Sequence, residues 1–206
     1  MEVFDLSAGP SRGAVAAAEQ ALEGGGLVVF PTDTVYGLAA RPDVPGATGR
    51  VFEAKRRPRG LTLPLLCPDL SRAEEVAIID DRARYLAERF WPGGLTIVLR
   101  RSVRSASWDL GDDRTTVGVR VPAHQVALAV LLRAGPLAVT SANPSGEPTP
   151  RDCHGVREAL REAVDVYLCA GSTGGVASTI VDLTGAQPAV LRQGAVSTAD
   201  IEAAFR

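Results

Sequence analysis

The chain has 206 residues, 46% of them hydrophobic, and a formal net charge of −2. That length supports one large domain or two small ones with an ample core, and the near-neutral charge excludes a globally polybasic nucleic-acid binder, so any such contact needs a local patch. The odd, widely spaced cysteines (Cys67, Cys153, Cys169) argue against a disulfide framework and fit a reducing cytosol; no apolar run approaches the ~20 residues of a membrane span, and the N-terminus lacks the basic and apolar regions of a signal peptide.

A soluble cytoplasmic protein without a membrane partner is therefore expected. Val3–Leu6 reads as a first strand. Ser11 to Leu22 is an Ala-rich helix that Gly24-Gly25-Gly26 stops. Leu27–Phe30 is a compact apolar run before Pro31 and reads as a buried strand. PTDTVYGLAA follows, a strand end and loop carrying Thr32, Thr34 and Tyr36, and loops at strand ends are where open α/β sheets place ligands. Gly46 to Arg56 is a helix that Pro58 ends. Leu63–Cys67 is a strand candidate, and Ser71-Arg72-Ala73-Glu74 has the spacing of a capping box. Asp80 to Phe90 is a helix, Trp91-Pro92-Gly93-Gly94 a turn and Leu95–Leu99 a strand. Arg100 to Asp113 is a polar loop whose Arg100, Arg101 and Arg104 face solvent. Thr115–Val121 alternates as a strand, setting Arg120 opposite Val119 and Val121. The helix His124–Arg133, with His124 on the surface or capping it, leads to the strand Leu137–Thr140 and the turn-rich SANPSGEPTP. Arg157–Ala163 is helical, Val166–Cys169 a strand and Gly171–Gly175 a plain turn. Ser178–Leu183 and Ala189–Leu191 are strands, and Thr198–Phe205 is a last helix. Strands and helices do not alternate strictly, which favours a single α/β domain over 1–206 with a twisted mixed sheet.

Chemistry is suggested first by Lys55-Arg56-Arg57-Pro58-Arg59, which holds the sole lysine of the chain. On its own such a run is more often a solvated helix end; the alternative is a phosphate site. No Walker loop, dinucleotide fingerprint or nucleophile elbow is present. Neither histidine has partners at zinc-ligand spacing, so no metal ligands are expected from side chains. Cys67 and Cys169 sit in apolar strands and read as inert core residues. What remains is hydroxyls, arginines and glycines near loops, an inventory suited to positioning and charge stabilisation in nucleotidyl or phosphoryl transfer.

PTDTVYGLAA, the K-x-R of Lys55 and Arg57, and the S-x-N of Ser141 and Asn143, with WPGGLTIVL, TTVGVRVPAH, ASTIVDL and VLRQG in order, resemble the YrdC-like family of threonylcarbamoyl-AMP synthases. The resemblance runs from about residue 10 to about residue 200 and fits the short form without an extra C-terminal domain. It implies a single α/β domain, a twisted mixed sheet with flanking helices and a large concave basic cleft. It implies a reaction too: L-threonine, bicarbonate and ATP, with Mg²⁺, give L-threonylcarbamoyl-AMP and pyrophosphate. Proteins of the tRNA threonylcarbamoyl-transfer machinery then pass the product to an adenosine next to the anticodon.

By resemblance, Arg57 carries over as a triphosphate contact, with Lys55 adding a point charge beside it; these are the expected catalytic residues. Thr116, Ser141, Asn143, Thr149 and Arg192 match ATP-binding positions. Arg120 matches the partner of the threonine carboxylate, and Thr34 and Ser178 match hydroxyl contacts to the amino acid. The stretch RPRGLTLPLLCP is longer than in some relatives, and Pro68 stands where they carry a histidine that helps hold threonine. A carbamoyl-adenylate enzyme of the same fold with another substrate is therefore one alternative, and a non-catalytic protein binding tRNA, double-stranded RNA or the ribosome is another.

Overall fold

The computed structural model describes residues 1–205 of the chain. Its strands are β1 (Glu2–Asp5), β2 (Val28–Phe30), β3 (Gly37–Ala40), β4 (Leu65–Leu66), β5 (Leu95–Arg100), β6 (Thr116–Arg120), β7 (Leu137–Ser141), β8 (Val166–Cys169), β9 (Thr179–Asp182) and β10 (Ala189–Arg192). The α-helices are α1 (Arg12–Glu23), α2 (Ala47–Lys55), α3 (Leu70–Val76), α4 (Asp81–Phe90), α5 (Val103–Ala106), α6 (Gln125–Ala134), α7 (Cys153–Leu160) and α8 (Thr198–Ala203).

Side-chain caps start most of them. Ser11, Asp69, Asp80, Asp152 and Ser197 each accept a backbone N–H from the first turn, and His124 does so through Nδ1. The expected capping box at Ser71 is not formed. Asp69, two residues earlier, captures the N–H of Arg72 at 2.8 Å and starts the helix first, which leaves Glu74 to pair with Arg84. Asp152 likewise starts α7 well before Arg157, where a helix was expected.

The strands form one ten-stranded sheet in the order β1-β8-β2-β3-β7-β4-β6-β5-β9-β10. Pairs β1–β8, β2–β8, β4–β6 and β5–β9 are parallel and the others antiparallel, so the sheet is mixed as expected. Strand β4 is only Leu65–Leu66, shorter than the expected Leu63–Cys67; Pro64 and Pro68 flank it and have no N–H to donate.

Period-two alternation divides the core. On β2, Val28 and Phe30 join a cluster with Leu22 of α1 and Val130 of α6, while Val29 joins Phe52 of α2, Leu86 of α4 and Val156 of α7 on the other face. On β5, β6 and β9, Leu95, Ile97, Leu99, Val117, Val119 and Val181 fill that second cluster. The intervening Thr96, Val98, Thr116, Gly118, Arg120 and Ile180 therefore point the other way. The cluster under α1 and α6 takes no residue from β5, β6 or β9, so these two helices roof only half of their face of the sheet.

Two expectations are corrected here. Arg101 is not solvated: it is 7% exposed and donates to the carbonyls of Thr116 (3.0 Å), Trp108 (3.0 Å) and Asp113 (2.6 Å), bracing the segment that contains α5. Arg100 and Arg104 do reach the surface. Cys169 is not an inert thiol but is disulfide-bonded to Cys153, with Cα atoms 5.4 Å apart. Packing of α7 against β8 brings the start of the helix to the end of the strand, a meeting that spacing in the chain does not reveal. Cys67 is free and buried, and burial pushes its thiol far up.

Candidate functional site

The unroofed half of the sheet is the floor of a cleft of about 550 Å³. Strand β6 supplies Thr116, Gly118 and Arg120 at alternate positions, β5 supplies Thr96 and Val98, and the β9 end supplies Ser178 and Ile180. The walls come from the loop after β2 (Thr32, Thr34), from residues 57–64 and from the end of β7. Of the ten expected site residues, eight line this cleft: Thr34, Arg57, Thr116, Arg120, Ser141, Thr149, Ser178 and Arg192. Among the described residues three arginines line it and no carboxylate does.

Local geometry explains how each cation arrives. Helix α2 ends at Arg56 in the left-handed region (φ 49°), whose backbone N–H returns to the last turn of the helix. That reversal leaves Arg56 exposed and sends Arg57 into the cleft, where Nε donates to the Leu61 carbonyl (2.8 Å) and Nη2 to that of Thr62 (3.3 Å). Arg59 turns outward to Asp109 and lies over the Phe52 ring at 4.8 Å. Arg192, at the end of β10, donates through Nε (3.2 Å) and Nη2 (2.8 Å) to the Ser178 carbonyl. Burial pulls the guanidinium groups of Arg57, Arg120 and Arg192 below their ordinary value, but arginine remains charged in proteins.

Arg120 is 5% exposed. Its Nε donates to the Gly93 carbonyl (2.8 Å), Nη1 to Thr34 Oγ1 (2.9 Å) and Nη2 to Asp33 Oδ1 (2.7 Å). The hydroxyls around it are linked. Thr32 Oγ1 donates to the Val35 carbonyl (2.6 Å), which leaves Thr34 as the donor in the 3.0 Å Thr32–Thr34 contact. Ser178 Oγ lies 2.8 Å from Thr96 Oγ1.

Thr116 and Thr149 offer acceptors. The Thr116 hydroxyl donates to Asp113, and this bond is the foremost of those that hold the Asp113 carboxyl well below the usual carboxylate range. The Thr149 hydroxyl donates to Asn143 Oδ1 at 3.3 Å. With their protons committed, both hydroxyls present lone pairs to the cleft.

The other two expected residues lie behind the wall. Lys55 is 1% exposed, and its ammonium donates to the carbonyls of Ser141 and Asn143 and, at 3.4 Å, to Asn143 Oδ1. Desolvation, with the nearby charge of Arg57, pulls this ammonium down to about 8. Its three donors are used within the protein, where it braces the loop that follows β7. Asn143 is also turned inward: Nδ2 donates to the carbonyls of Pro144 (3.0 Å) and Glu147 (2.7 Å), closing the loop on itself. Side chains of this type satisfy local backbone groups wherever a turn allows.

Sequence reasoning noted the Thr32 hydroxyl without giving it a role and passed over Asp33 and Thr96. Thr96 had a legible signal, a lone hydroxyl in the apolar run LTIVL; Asp33 had none beyond its place in PTDTVYG. Tyr36 is fully buried as a packing residue, its hydroxyl donating to the Gly171 carbonyl (2.7 Å) and accepting from the N–H of Ala170 (3.0 Å). The glycine turn is pinned rather than loose, with the N–H of Gly175 on the Thr34 carbonyl at 2.9 Å.

Residues 20–194 match the Sua5_yciO_yrdC family model, described as telomere recombination. The chain belongs to this family. A candidate threonylcarbamoyl-AMP synthase of Mycobacterium leprae is 46% identical over 203 residues, covering 97% of this chain and 92% of its own length. The Pyrococcus abyssi Sua5 crystal structure complexed with L-threonine superposes with a TM-score of 0.92 at 35% identity, covering all of this chain and 61% of that one. This chain thus spans less than two thirds of that family member. Escherichia coli YciO superposes with a TM-score of 0.86 at 28% identity and covers 95% of this chain and 96% of its own.

Proposed function

We propose that this protein is an L-threonylcarbamoyladenylate synthase, a nucleotidyltransferase. The observation that carries the reading is the single cleft in which Arg120, set among hydroxyls, shares a floor with two more exposed arginines, in a chain similar to a Sua5 known with L-threonine bound. The amine of L-threonine attacks bicarbonate, and water leaves to give the N-carboxy amino acid. Its carbamate oxygen then attacks the α-phosphorus of ATP and expels pyrophosphate. No protein nucleophile is required.

Its residues position and neutralise charge. Arg120 meets the threonine carboxylate, a buried guanidinium being well matched to an anion, and Thr34 and Ser178 contact the amino acid by hydroxyl. Arg57 and Arg192 present planar forks that bridge phosphate oxygens. Thr116 and Thr149 accept hydrogen bonds from the nucleoside. Ser141 lies at the nucleotide wall, with Lys55 and Asn143 holding its loop from behind. Mg²⁺ would enter with ATP as part of the substrate. Three cations without a lining carboxylate favour a polyanion in a cleft of low dielectric. The product passes to the tRNA threonylcarbamoyl-transfer machinery of the cytoplasm.

Arg57→Ala tests the reading. Adenylate and pyrophosphate formation from L-threonine, bicarbonate and ATP should fall below detection while the circular dichroism spectrum is unchanged. An active Arg57→Ala enzyme removes the phosphate assignment. A second reading, the same chemistry on another amine, is favoured by one observation: Gly60, Leu61, Thr62 and Pro64, from the stretch that is longer than in some relatives, line the cleft. Running the assay across amino acids separates the two, since activity with another amine and none with L-threonine selects the second.

A further inference from the structure

We propose that Asp33 is the positioning residue of the amino-acid end of the cleft: its carboxylate fixes the Arg120 guanidinium in the orientation that receives a carboxylate, without itself touching the substrate. The inference rests on Arg120 meeting the L-threonine carboxylate.

Three observations support it. Asp33 is not among the cleft-lining residues, yet one of its oxygens accepts from Arg120 Nη2 at 2.7 Å and from the Ala123 N–H at 2.9 Å. The carboxylate therefore clamps the head group of Arg120 to the chain three residues further on, at the start of α6. Next, the other two acceptors of Arg120 are neutral, the Gly93 carbonyl and the Thr34 hydroxyl. Asp33 supplies the one bond between opposite charges. Finally, a guanidinium has five N–H donors, and these contacts engage one on each nitrogen. One N–H on each Nη is left for a ligand.

Charge and geometry make opposite demands on this residue. As a charge, Asp33 neutralises Arg120 and weakens its pull on a second carboxylate. As a clamp, it keeps a desolvated side chain from swinging away. Both bonds end on Oδ1, so asparagine preserves the clamp and removes the charge, whereas alanine removes both.

The test compares Asp33→Asn and Asp33→Ala with the unmodified protein by two readouts. In steady-state kinetics, Asp33→Ala should raise the KM for L-threonine about tenfold or more, as expected for losing one hydrogen bond to a charged group, with the KM for ATP little changed. Asp33→Asn should restore the KM for L-threonine to within about threefold of the unmodified protein. The second readout needs no substrate. The Nε–Hε resonance of Arg120, assigned by its loss in Arg120→Lys, should be sharp in the unmodified protein and in Asp33→Asn, and broadened by exchange in Asp33→Ala. A sharp resonance and an unchanged threonine KM in Asp33→Ala overturn the proposal. So does a rise in the ATP KM equal to that for threonine, or an asparagine variant as impaired as the alanine one. If the unmodified protein does not use L-threonine, the functional reading fails, while the resonance still decides whether Asp33 positions Arg120.

Discussion

Replacing Lys55 by methionine separates a buried brace from a direct phosphate contact. Methionine keeps the unbranched apolar stem and removes the ammonium. The Asn143 carbonyl loses its donor, which costs about 1–3 kcal/mol for an orphaned buried acceptor. The Ser141 carbonyl keeps the N–H of Asn143 at 3.0 Å and loses only a charge-assisted bond, a further ~1.5–3 kcal/mol. Asn143 Oδ1 keeps the Thr149 hydroxyl at 3.3 Å and adds little. The sum is roughly 2.5–6 kcal/mol, a large part of the ~5–15 kcal/mol that holds a domain folded. For a protein of this size that lowers the thermal midpoint by about 5–24 °C. Ser141 and Thr149 sit on the loosened loop, so the KM for ATP should rise about tenfold while that for L-threonine moves less. Urea unfolding followed by circular dichroism, with pyrophosphate release for the kinetics, reads both effects. An unchanged urea midpoint with a large rise in the ATP KM would refute the reasoning, because it is the signature of an ammonium that meets the triphosphate.

The same residue predicts a pH dependence. Folding lowers the Lys55 ammonium from 10.5 to about 8, so between those values the unfolded chain holds a proton that the folded one has released. The contribution of Lys55 should therefore be most favourable above about 10.5 and decline as pH falls to about 8, with a slope of at most ~1.4 kcal/mol per pH unit. Subtracting Lys55→Met unfolding free energies from those of the unmodified protein isolates it; a flat difference from pH 8 to 10.5 contradicts the burial argument. The Cys153–Cys169 bond closes a sequence separation of 16 residues, for which chain entropy gives about 3 kcal/mol. Cys153→Ser should lose about that much stability in non-reducing buffer, and a dithiol reductant should bring the unmodified protein down to the same level. Alkylation of the denatured, unreduced protein should label Cys67 alone, and labelling at all three cysteines would show that the bond is absent.

Much of the site was legible because residue type and period two carry it. Alternation in TTVGVRV sets Thr116, Gly118 and Arg120 on one face of β6, and the quoted motifs place Thr34, Arg57, Ser141, Thr149, Ser178 and Arg192 at strand ends and loops that converge on that face. The mixed sheet was legible from strands that follow one another without an intervening helix. Local competition hid smaller features: Asp69 and Ser71 are both good caps two residues apart, and only the first is used.

Alternation alone left open which face of β6 is covered. That depends on α1 and α6 roofing only half of the sheet, a matter of how distant segments pack. The same non-local packing turns Lys55 inward onto Ser141 and Asn143, buries Arg101 against three carbonyls, joins Cys153 to Cys169 and brings Asp33 to Arg120. The sequence by itself determined which side chains could handle an anionic substrate. Tertiary structure alone decided which of them face the cleft and which stand behind it, because burial commits a polar side chain to whatever partner lies within about 3 Å, and that partner comes from elsewhere in the chain.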